Sequence, residues 1–490
     1  MTRTLVRAAV LVLLTALLLA SQAPAPAPAD AALVEANRRI LTEIAEHSEQ
    51  LQNLEYLSDR IGPRLTGSDN LKRANEWTAQ RFRDYGLANV HLESWTIAHS
   101  WKRGWARARV LAPAEHRLAA EAAGWSPNSA GALRGPLVYV KAEKKEELEP
   151  YRGKLGGALV ITTEPQSRQR VEERPLMPRP PQPERDFAAL RRFSQEREDF
   201  FVAEGVVGLL RDSDKGFGLF NMSSVGRDYN PAKLPTAFLT PESYDLLWRL
   251  RKNDQPVTVE LEIGGGEFSA GPVEVYNTVA EIPGGEKPDE VVILGAHLDS
   301  WDLGTGATDN GTGASVLLEA ARALRRLDLK PRRTLRFILF SGEEQGLNGS
   351  RAYVEAHKEE MAKVSAVLVH DAGTGRVETI ALQGNPQVYD IVSKIVRPLR
   401  QMLNLEELSL RTISGSDHAS FNRVGVPGFF CQQERATYNQ THHSQADTFD
   451  KVIREDLLNG AQVLAVFAYN VAQLDDLLPR KPAPPPAPQP

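Results

Sequence analysis

The amino-acid sequence predicts an α/β fold: a mostly parallel sheet sandwiched between helices, with a β-rich segment inserted into it. From Glu274 onward, short continuous apolar runs alternate with amphipathic helical segments. Such runs are typical of strands buried on both faces, and the alternation with helices favours parallel pairing. The clearest apolar runs are Val291–Leu294, Phe337–Phe340 and Val367–Val369. The clearest helical segment is Gly311–Leu327. Because parallel strands end at one shared edge, we expect the polar residues after these runs to lie together.

The composition is that of a soluble globular protein. The 490 residues are 42% hydrophobic and 25% charged, and the length accommodates two or three domains. The formal net charge is −5 without a basic stripe, which argues against a nucleic-acid partner. Cys431 is the only cysteine, so no intrachain disulfide can form, and its apolar neighbours predict a buried thiol.

The first 23 residues have the pattern of an export signal. Two arginines precede an apolar run, Ala8–Ala20, and the small residues Ser21 and Ala23 follow it. The run is too short to span a bilayer comfortably, although an uncleaved membrane anchor is the alternative. We therefore predict a signal peptide over residues 1–23, no stable membrane insertion after its cleavage, and a secreted or periplasmic mature protein.

The next part of the chain begins the main domain, which we place at residues 33–109. Residues 24–32, just before it, are rich in Ala and Pro and predict a flexible leader. The expected elements are a helix over Val34–Ser58, a second helix capped by Ser68 or Asp69 and running from there to Tyr85 before Gly86, and a strand over Val90–Ile97.

Residues 110–265 contain short apolar runs separated by Gly, Pro and charged residues, a pattern that predicts a separate β-rich insert. The expected pieces are strands at Leu137–Val140 and Ala158–Ile161, a helix-to-strand passage at Ala203–Leu210 and a Pro/Arg-rich loop over Glu173–Glu184. The run Gly264–Gly266 is either a hinge back into the main domain or a plain surface loop. Residues 266–475 complete the main domain, and residues 476–490 form a Pro-rich tail that we expect to be disordered.

A histidine and two aspartates follow the first apolar run. His297 and Asp299 flank one residue, so in extended chain both side chains point the same way. One of them can bind a metal while the other orients it, because ligating histidines usually donate to a carboxylate or carbonyl. Asp309 precedes the predicted helix; alone it would be an N-cap or turn residue.

Further candidates follow the other two runs and lie near the C-terminus. Glu343 and Glu344 are adjacent in a glycine-flanked loop, so one can hold a metal while the other faces a substrate. Asp371 follows the third run, and His442 and His443 come later in a polar segment. Each signal alone is also compatible with a solvated acidic loop, but their common placement at strand ends favours one site.

The combined residue types indicate a hydrolytic metal site. Nitrogen and oxygen ligands without cysteine suit zinc, manganese or cobalt. Three carboxylates and a bridging hydroxide would balance the charge of two divalent ions, which favours a two-metal site.

The order of these residues resembles that of the co-catalytic zinc exopeptidases, the family that includes bacterial leucyl aminopeptidases. Within that family, the segments His297–Asp302, Gly306–Gly311 and Gly62–Ser68 look most similar to the carboxypeptidase Q branch. Trp301 and Asp302 belong to that branch signature rather than to the metal cluster. The segment Ser416–Ser420 is more like the simple secreted aminopeptidases, and the resemblance covers residues 35–475.

This resemblance implies a role for each candidate. The implied roles are His297, Glu344, Asp371 and His443 as terminal zinc ligands, Asp309 as the bridge between two zinc ions, Glu343 as the general base and Asp299 as the acid that orients His297. His442 is the alternative to His443 as a ligand. The resemblance also implies a zinc exopeptidase fold, a protease-associated domain as the insert, and a homodimer.

The implied activity is the hydrolysis of dipeptides or short peptides by an exported zinc exopeptidase. One alternative is a broad aminopeptidase that acts on longer peptides. Another is a non-catalytic, receptor-like binding protein on the same scaffold; such proteins usually lose ligands or the base, and here every position is filled. The turn Arg60–Ser68 and Tyr438 are candidates for contacting the end of a peptide, against the alternatives of a structural turn and a packed ring.

Overall fold

The structure is a computed structural model that describes residues 28–165, 187–252, 256–435 and 438–481. The predicted signal peptide, the Pro/Arg-rich loop and most of the Pro-rich tail lie outside these residues. The first helix begins at Pro28, within the Ala/Pro-rich stretch 24–32 that was expected to be a leader.

The strands follow one another along the whole described chain. In order they are β1 Ala88–Ile97, β2 Trp101–Lys102, β3 Trp105–Ala112, β4 His116–Leu118, β5 Ala120–Ala122, β6 Leu133–Tyr139, β7 Leu159–Ile161, β8 Gly208–Asp212, β9 Thr236–Leu239, β10 Thr258–Gly264, β11 Glu267–Phe268, β12 Val273–Ile282, β13 Lys287–His297, β14 Arg333–Phe340, β15 Val364–Val369, β16 Val377–Ala381 and β17 Gly428–Gln433. The central strands β13, β14 and β15 contain the three apolar runs.

The helices lie between these strands and at both ends of the described chain. In order they are α1 Pro28–His47, α2 Gln50–Glu55, α3 Asp69–Asp84, α4 Phe187–Ala203, α5 Pro241–Lys252, α6 Thr312–Arg326, α7 Asn348–Ala356, α8 Tyr389–Leu403, α9 His418–Asn422, α10 Tyr438–Thr441 and α11 Arg454–Ala472. Shorter helical turns occur at Tyr56–Ile61, Lys145–Tyr151, Ala307–Gly311, Met361–Lys363, Pro386–Val388 and Phe449–Lys451. Among the described residues, no helix combines the length and apolar character that crossing a bilayer requires.

The main sheet has seven strands in the order β1–β12–β14–β13–β15–β17–β16. The pairings among β14, β13, β15 and β17 are parallel, whereas β1, β12 and β16 pair antiparallel with their neighbours. The expected mostly parallel sheet is therefore a mixed sheet with a parallel centre. The apolar runs identified the centre because it is buried on both faces, while the partly exposed edge strand β1 carries no such signal.

The side chains of β13 alternate between two apolar layers. Val292, Leu294 and Ala296 pack in the layer that contains α1, α6 and α11. Val291 and Ile293 pack on the opposite face, against residues of α7 and α9. Because helices cover both faces, the second half of β13 is buried, and its last residue, His297, lies at an enclosed edge of the sheet.

The helix that follows the Gly62–Ser68 turn is α3. The hydroxyl of Ser68 accepts a hydrogen bond from Leu71 N at 3.2 Å, so Ser68 rather than Asp69 is the N-cap. The helix ends at Asp84, and Gly86 follows with a φ of +78°, a conformation that glycine adopts without strain. The predicted start and stop signals of this helix are confirmed.

A second sheet arises from the middle of the chain. Its eight strands, in the order β4–β3–β10–β6–β7–β8–β9–β5, all lie between Trp105 and Gly264. Its first strand thus starts a few residues before the predicted boundary of the insert at residue 110. Trp125 and Leu261 are among the residues of its core, which continues onto Trp301 of the main domain. The two sheets therefore share an apolar contact close to the edge at which β13 ends.

Candidate metal centre

Three parallel strands end side by side and carry four of the predicted site residues. His297 is the last residue of β13, Glu343 and Glu344 follow β14, and Asp371 follows β15. Because β13 lies between β14 and β15, His297 sits between the two acidic segments. The buried strands thereby bring residues that are far apart in sequence to one edge of the sheet.

Asp309 reaches the same edge from the tight turn that precedes α6. Its φ and ψ are −127° and 89°, and its peptide bond to Asn310 is cis. Asn310, not Asp309, caps the helix: its Oδ1 accepts from Gly313 N at 2.8 Å, and its Nδ2 donates to His370 O at 2.9 Å. The carboxylate of Asp309 is therefore not used by the helix and faces the histidines instead.

The predicted ligands form two groups that share Asp309. Nε2 of His297 lies 3.3 Å from Asp309 Oδ1 and 3.1 Å from Asp371 Oδ1. Nε2 of His443 lies 2.9 Å from Glu344 Oε2 and 3.7 Å from Asp309 Oδ2. One carboxylate thus presents a different oxygen to each histidine, which is the geometry of a bridge between two sites.

The two adjacent histidines differ in what they contact. His443 faces Glu344 and Asp309, and its φ is +56°. The ring of His442 stacks on the ring of His443 with centroids 3.7 Å apart and packs edge-on against Tyr438 at 5.1 Å. A ligand atom of His442 also lies within 4.8 Å of ligand atoms of Asp309 and His443, so both histidines border the centre. Tyr438 is accordingly a packed ring beside them.

The donor set fits divalent cations. Asp309 Oδ2 and Glu344 Oε1 are buried and have no hydrogen-bond partner among the described residues. Burying a carboxylate is costly unless it is paired or coordinates a metal. The donors are imidazole nitrogens and carboxylate oxygens without a thiolate, which suits zinc and similar ions.

The electrostatics of the cluster support the same conclusion. Burial raises the pKa of Glu343 and of Glu344 well above the usual range, and neighbouring acids add to the shift. Burial opposes the charged form of His297, but the charges of Asp371 and Glu343 outweigh it and raise its pKa well above its usual value. For Asp309, burial opposes the charged form, but the hydrogen bond from His297 and the charges of the three histidines together outweigh it and lower the pKa. The centre holds an excess of buried negative charge that divalent cations would neutralise.

Asp299 contacts His297 in a different way from the one predicted. The nearest acceptor of His297 Nδ1 is the backbone oxygen of Asp299 at 3.0 Å, while the carboxylate Oδ1 is 3.6 Å away. Since a carbonyl oxygen only accepts, it keeps the proton on Nδ1 and leaves Nε2 free to bind a metal. The carboxylate instead accepts from Glu343 N and Glu344 N, both at 3.3 Å, and from the Thr66 hydroxyl at 3.0 Å.

Arg64 explains the turn near the N-terminus. Its guanidinium is fully buried and donates to five backbone oxygens, those of Leu57, Gly62, Leu298, Thr305 and Gly306. Burial lowers the pKa of Arg64 to about 10, against the opposing charges of Asp447 and Asp299. The side chain is therefore a structural tie between this turn and the segment after His297. It is not exposed to a substrate, so of the two alternatives for this part of the turn the structural one applies.

Two supporting residues of the centre, Thr66 and Asp447, were not given this role from the sequence. Thr66 donates to Asp299, and Asp447 accepts from Thr308 N at 2.6 Å, from the Thr308 hydroxyl at 2.8 Å and from Asp309 N at 3.2 Å. Asp447 follows His443 by four positions, which is a weak signal that it belongs to the same loop. The position of Thr66 carried no signal of this kind.

Trp301 and Asp302 lie at the border between the metal cluster and the insert. The carboxylate of Asp302 pairs with both ends of the Arg103 guanidinium, at 2.8 and 2.6 Å, and Arg103 in turn donates to Ala122 O of the insert. The ring of Trp301 lies so close to Gly124 that a Cβ there would be 2.8 Å from it, and it also contacts the ring of His443, with centroids 6.0 Å apart. Among the described residues, neither side chain belongs to a group of candidate metal ligands.

Glycine is required at one position of the glutamate loop. Gly342 has a φ of +74°, and a Cβ at this position would lie 2.6 Å from Trp95 and 2.9 Å from the hydroxyl of Tyr229. The insert residue Tyr229 also accepts a hydrogen bond from Asn348 Nδ2 at 2.9 Å. The loop that carries Glu343 is therefore packed tightly beneath the insert.

Comparison with known proteins identifies the family. A model of peptidase family M28 matches residues 277–468. Carboxypeptidase Q from Mus musculus is 31% identical over 435 residues, which cover 88% of this chain and 87% of that protein. The match includes the insert as well as the main sheet.

Solved structures agree with the sequence relationship. The peptidase M28 precursor from Shewanella amazonensis superposes with a TM-score of 0.77 at 27% identity, covering 93% of this chain and all of that chain. A zinc aminopeptidase from Bacillus subtilis, at 19% identity, has the same fold with a TM-score of 0.61 over 85% of this chain and 93% of its own. The chain therefore belongs to peptidase family M28 and is a metallopeptidase related to carboxypeptidase Q.

Proposed function

We propose that this protein is an exported exopeptidase that hydrolyses dipeptides or short peptides with two zinc ions. The observation that carries the proposal is the placement of Asp309. Its Oδ1 faces His297 at 3.3 Å and its Oδ2 faces His443 at 3.7 Å. A carboxylate between two histidine-containing groups is suited to hold two cations close together, as two-metal hydrolases require.

The proposed ligands divide between the two ions. His297, Asp309 and Asp371 hold one ion, and their ligand atoms lie within 4.8 Å of one another. Asp309, Glu344 and His443 hold the other. We favour His443 over His442 because only the former pairs with Glu344, at 2.9 Å.

The chemistry divides between the ions and Glu343. When bound, the ions supply Lewis acidity that activates a water molecule and polarises the scissile carbonyl. The carboxylate of Glu343 accepts no hydrogen bond from the residues that the structure describes, and burial raises its pKa well above the usual range. Bound cations would oppose this shift and favour the charged carboxylate, and we assign Glu343 to take a proton from the attacking water and to pass it to the leaving amine. Asp299 holds Glu343 in place by accepting its backbone N–H.

Two observations support an exopeptidase that acts on short substrates. The relatives that match nearly the whole chain bear the name carboxypeptidase Q, which supports action at a chain end. In addition, the insert contacts the histidine loop, residues 442–447, since Met222 N donates to His443 O at 2.8 Å. A cover this close to the metal ligands restricts the length of peptide that fits beside them.

The remaining predictions from the sequence extend this proposal. We propose that residues 110–265 form a protease-associated-like domain between the two parts of the catalytic domain. We further propose that residues 1–23 are a signal peptide, that the mature enzyme is secreted or periplasmic, and that it forms a homodimer. Secretion of a fusion of these residues and the mass of the purified protein in solution would test these statements.

The decisive experiment measures metal content and hydrolysis together. We expect about two zinc ions per chain, loss of activity with a chelator and recovery on addition of zinc. Unblocked dipeptides should be cleaved faster than longer peptides and amino-acid anilides. Faster cleavage of longer peptides would identify a broad aminopeptidase, and zinc binding without hydrolysis of any of these substrates would contradict the proposal.

A further inference from the structure

A lysine of the insert lies beside the proposed zinc ligands. The ammonium of Lys215 donates to the backbone oxygens of Asn439 at 2.8 Å and of His442 at 2.7 Å. Asn439 lies in α10, and His442 follows that helix directly before His443. The charge of Asp309 also acts on Lys215. The insert therefore places a positive charge next to the centre.

The segment that carries Lys215 is held firmly against this loop. Phe220 N donates to Gln445 Oε1 at 2.9 Å, and Gln445 Nε2 donates back to Gly218 O at 2.9 Å. Met222 N donates to His443 O. These bonds hold residues 218–222, which directly follow Lys215, against the histidine loop and so limit the movement of Lys215 relative to the centre.

The ammonium of Lys215 has three N–H donors, and the two carbonyl oxygens accept from two of them. The third N–H is available to a ligand. Among the described residues, no carboxylate lies within 4.0 Å of its nitrogen, and the side chain is only partly buried. Arg64, another cation on which Asp309 acts, is fully buried and donates to backbone oxygens. Lys215 is thus the one of these two cations that a ligand can reach.

We propose that Lys215 binds the free α-carboxylate of the substrate. This inference rests on the proposed function and specifies its substrate class: unblocked dipeptides or short peptides rather than internal or blocked segments. A free carboxylate loses water when it enters the site beside the insert, so a cation within about one residue of the scissile bond favours substrates that carry a free chain end. Lys215 supplies such a cation from the insert, beside the segment that carries His443.

The alternative role is a purely structural one, in which the two carbonyl contacts only attach the insert to the histidine loop. The two roles differ in substrate dependence. A structural loss lowers activity on every substrate equally, whereas loss of a carboxylate site affects only substrates that carry the carboxylate.

The test compares a dipeptide with the same dipeptide amidated at its C-terminus, in the zinc-loaded enzyme. The wild-type enzyme should have a higher kcat/KM for the free acid. In Lys215→Gln, which removes the charge but keeps a polar amide donor, the ratio of kcat/KM for acid over amide should fall about 10- to 100-fold, mainly through KM, as expected for a lost charge-assisted hydrogen bond. Lys215→Arg should retain much of the ratio.

The controls separate this inference from the proposed function. Lys154→Met removes a lysine of the insert that also donates to a backbone oxygen, that of Pro150, and it should leave the ratio unchanged. An equal loss on acid and amide in Lys215→Gln would overturn the inference while leaving the exopeptidase proposal intact. If Lys215→Gln does not fold, the acid-over-amide ratio of kcat/KM in the wild type and in Lys215→Arg still tests the inference. A wild-type enzyme with equal kcat/KM for acid and amide would contradict it. Absence of dipeptide hydrolysis in the wild type would contradict the function itself.

Discussion

Thr308 donates two hydrogen bonds to one oxygen of Asp447, from its backbone N at 2.6 Å and from its hydroxyl at 2.8 Å. Thr308 directly precedes Asp309, and Asp447 lies in the loop that follows His443. The interaction therefore joins the segment that carries the proposed bridging ligand to the segment that carries the last histidine. Asp447 is buried, and burial raises its pKa to about 7.

Removal of this carboxylate should weaken metal binding. In Asp447→Ala, the N–H groups of Thr308 and Asp309 lose their acceptor, so the bridging carboxylate is less well positioned. We expect about 10- to 100-fold lower zinc affinity, the usual effect of changing a group that orients a ligand. Competition with a chromogenic chelator measures it. Asp450→Ala, a change at an exposed acid in the same loop, is the matched control, and an equal effect of both changes would contradict this role.

Substitutions of the adjacent Glu343 and Glu344 should affect catalysis and metal binding differently. Glu343→Gln removes the proposed base and should lower kcat about 10²- to 10⁴-fold while leaving zinc content unchanged. Glu344→Gln removes a proposed ligand and should lower zinc content as well as activity. Zinc analysis and steady-state kinetics on both proteins provide the comparison. Near-normal turnover in Glu343→Gln, or full zinc occupancy in Glu344→Gln, would show that the roles are assigned wrongly.

Substitution of Arg64 should lower the stability of the fold rather than change the catalytic groups directly. Arg64→Met leaves five backbone oxygens without their donor, several of them buried, and we expect more than about 3 kcal/mol lower free energy of unfolding. The thermal midpoint of the metal-free protein reports this loss. Arg60→Met, at an exposed arginine of the same segment, should change the free energy by less than about 0.5 kcal/mol. A similar midpoint for the two variants would refute the structural role of Arg64.

Acid should destabilise the protein through His418. Burial lowers the pKa of this histidine to about 4, and its Nε2 donates to Ile413 O at 2.8 Å. Between pH 6.5 and about 4 the unfolded chain binds a proton at this position and the folded chain does not, so stability falls as the pH falls. The full effect is about 3 kcal/mol.

His418→Gln should remove this part of the pH dependence. The free energy of unfolding of the metal-free protein, measured with urea at pH 6.5 and pH 4.5, should fall less in this variant than in the wild type. His116→Gln changes an exposed histidine of the insert and should leave the dependence as it is. Parallel curves for wild type and His418→Gln would contradict the prediction.

Much of the fold followed from local patterns. The apolar runs identified β13, β14 and β15, and the cap at Ser68 and the stop at Gly86 bounded α3. The antiparallel edges of the main sheet did not follow, because a half-exposed strand has no continuous apolar run to mark it. The start of α1 at Pro28 was also missed, since a Pro/Ala-rich composition is compatible with both a leader and the first turn of a helix.

The sequence by itself determined the α/β class and the residue types at the strand ends. A strand that is buried on both faces requires a continuous apolar run, and such a run is a local pattern. The resemblance implied a bridging role for Asp309, and the tertiary structure gave the distances from its carboxylate to His297 and His443. Only the tertiary structure decided that a backbone oxygen orients His297 and that the buried Arg64 connects separate backbone segments. It also decided that Lys215 meets His442, 227 positions away. Such contacts depend on how separate segments pack, and no local pattern in the chain encodes them.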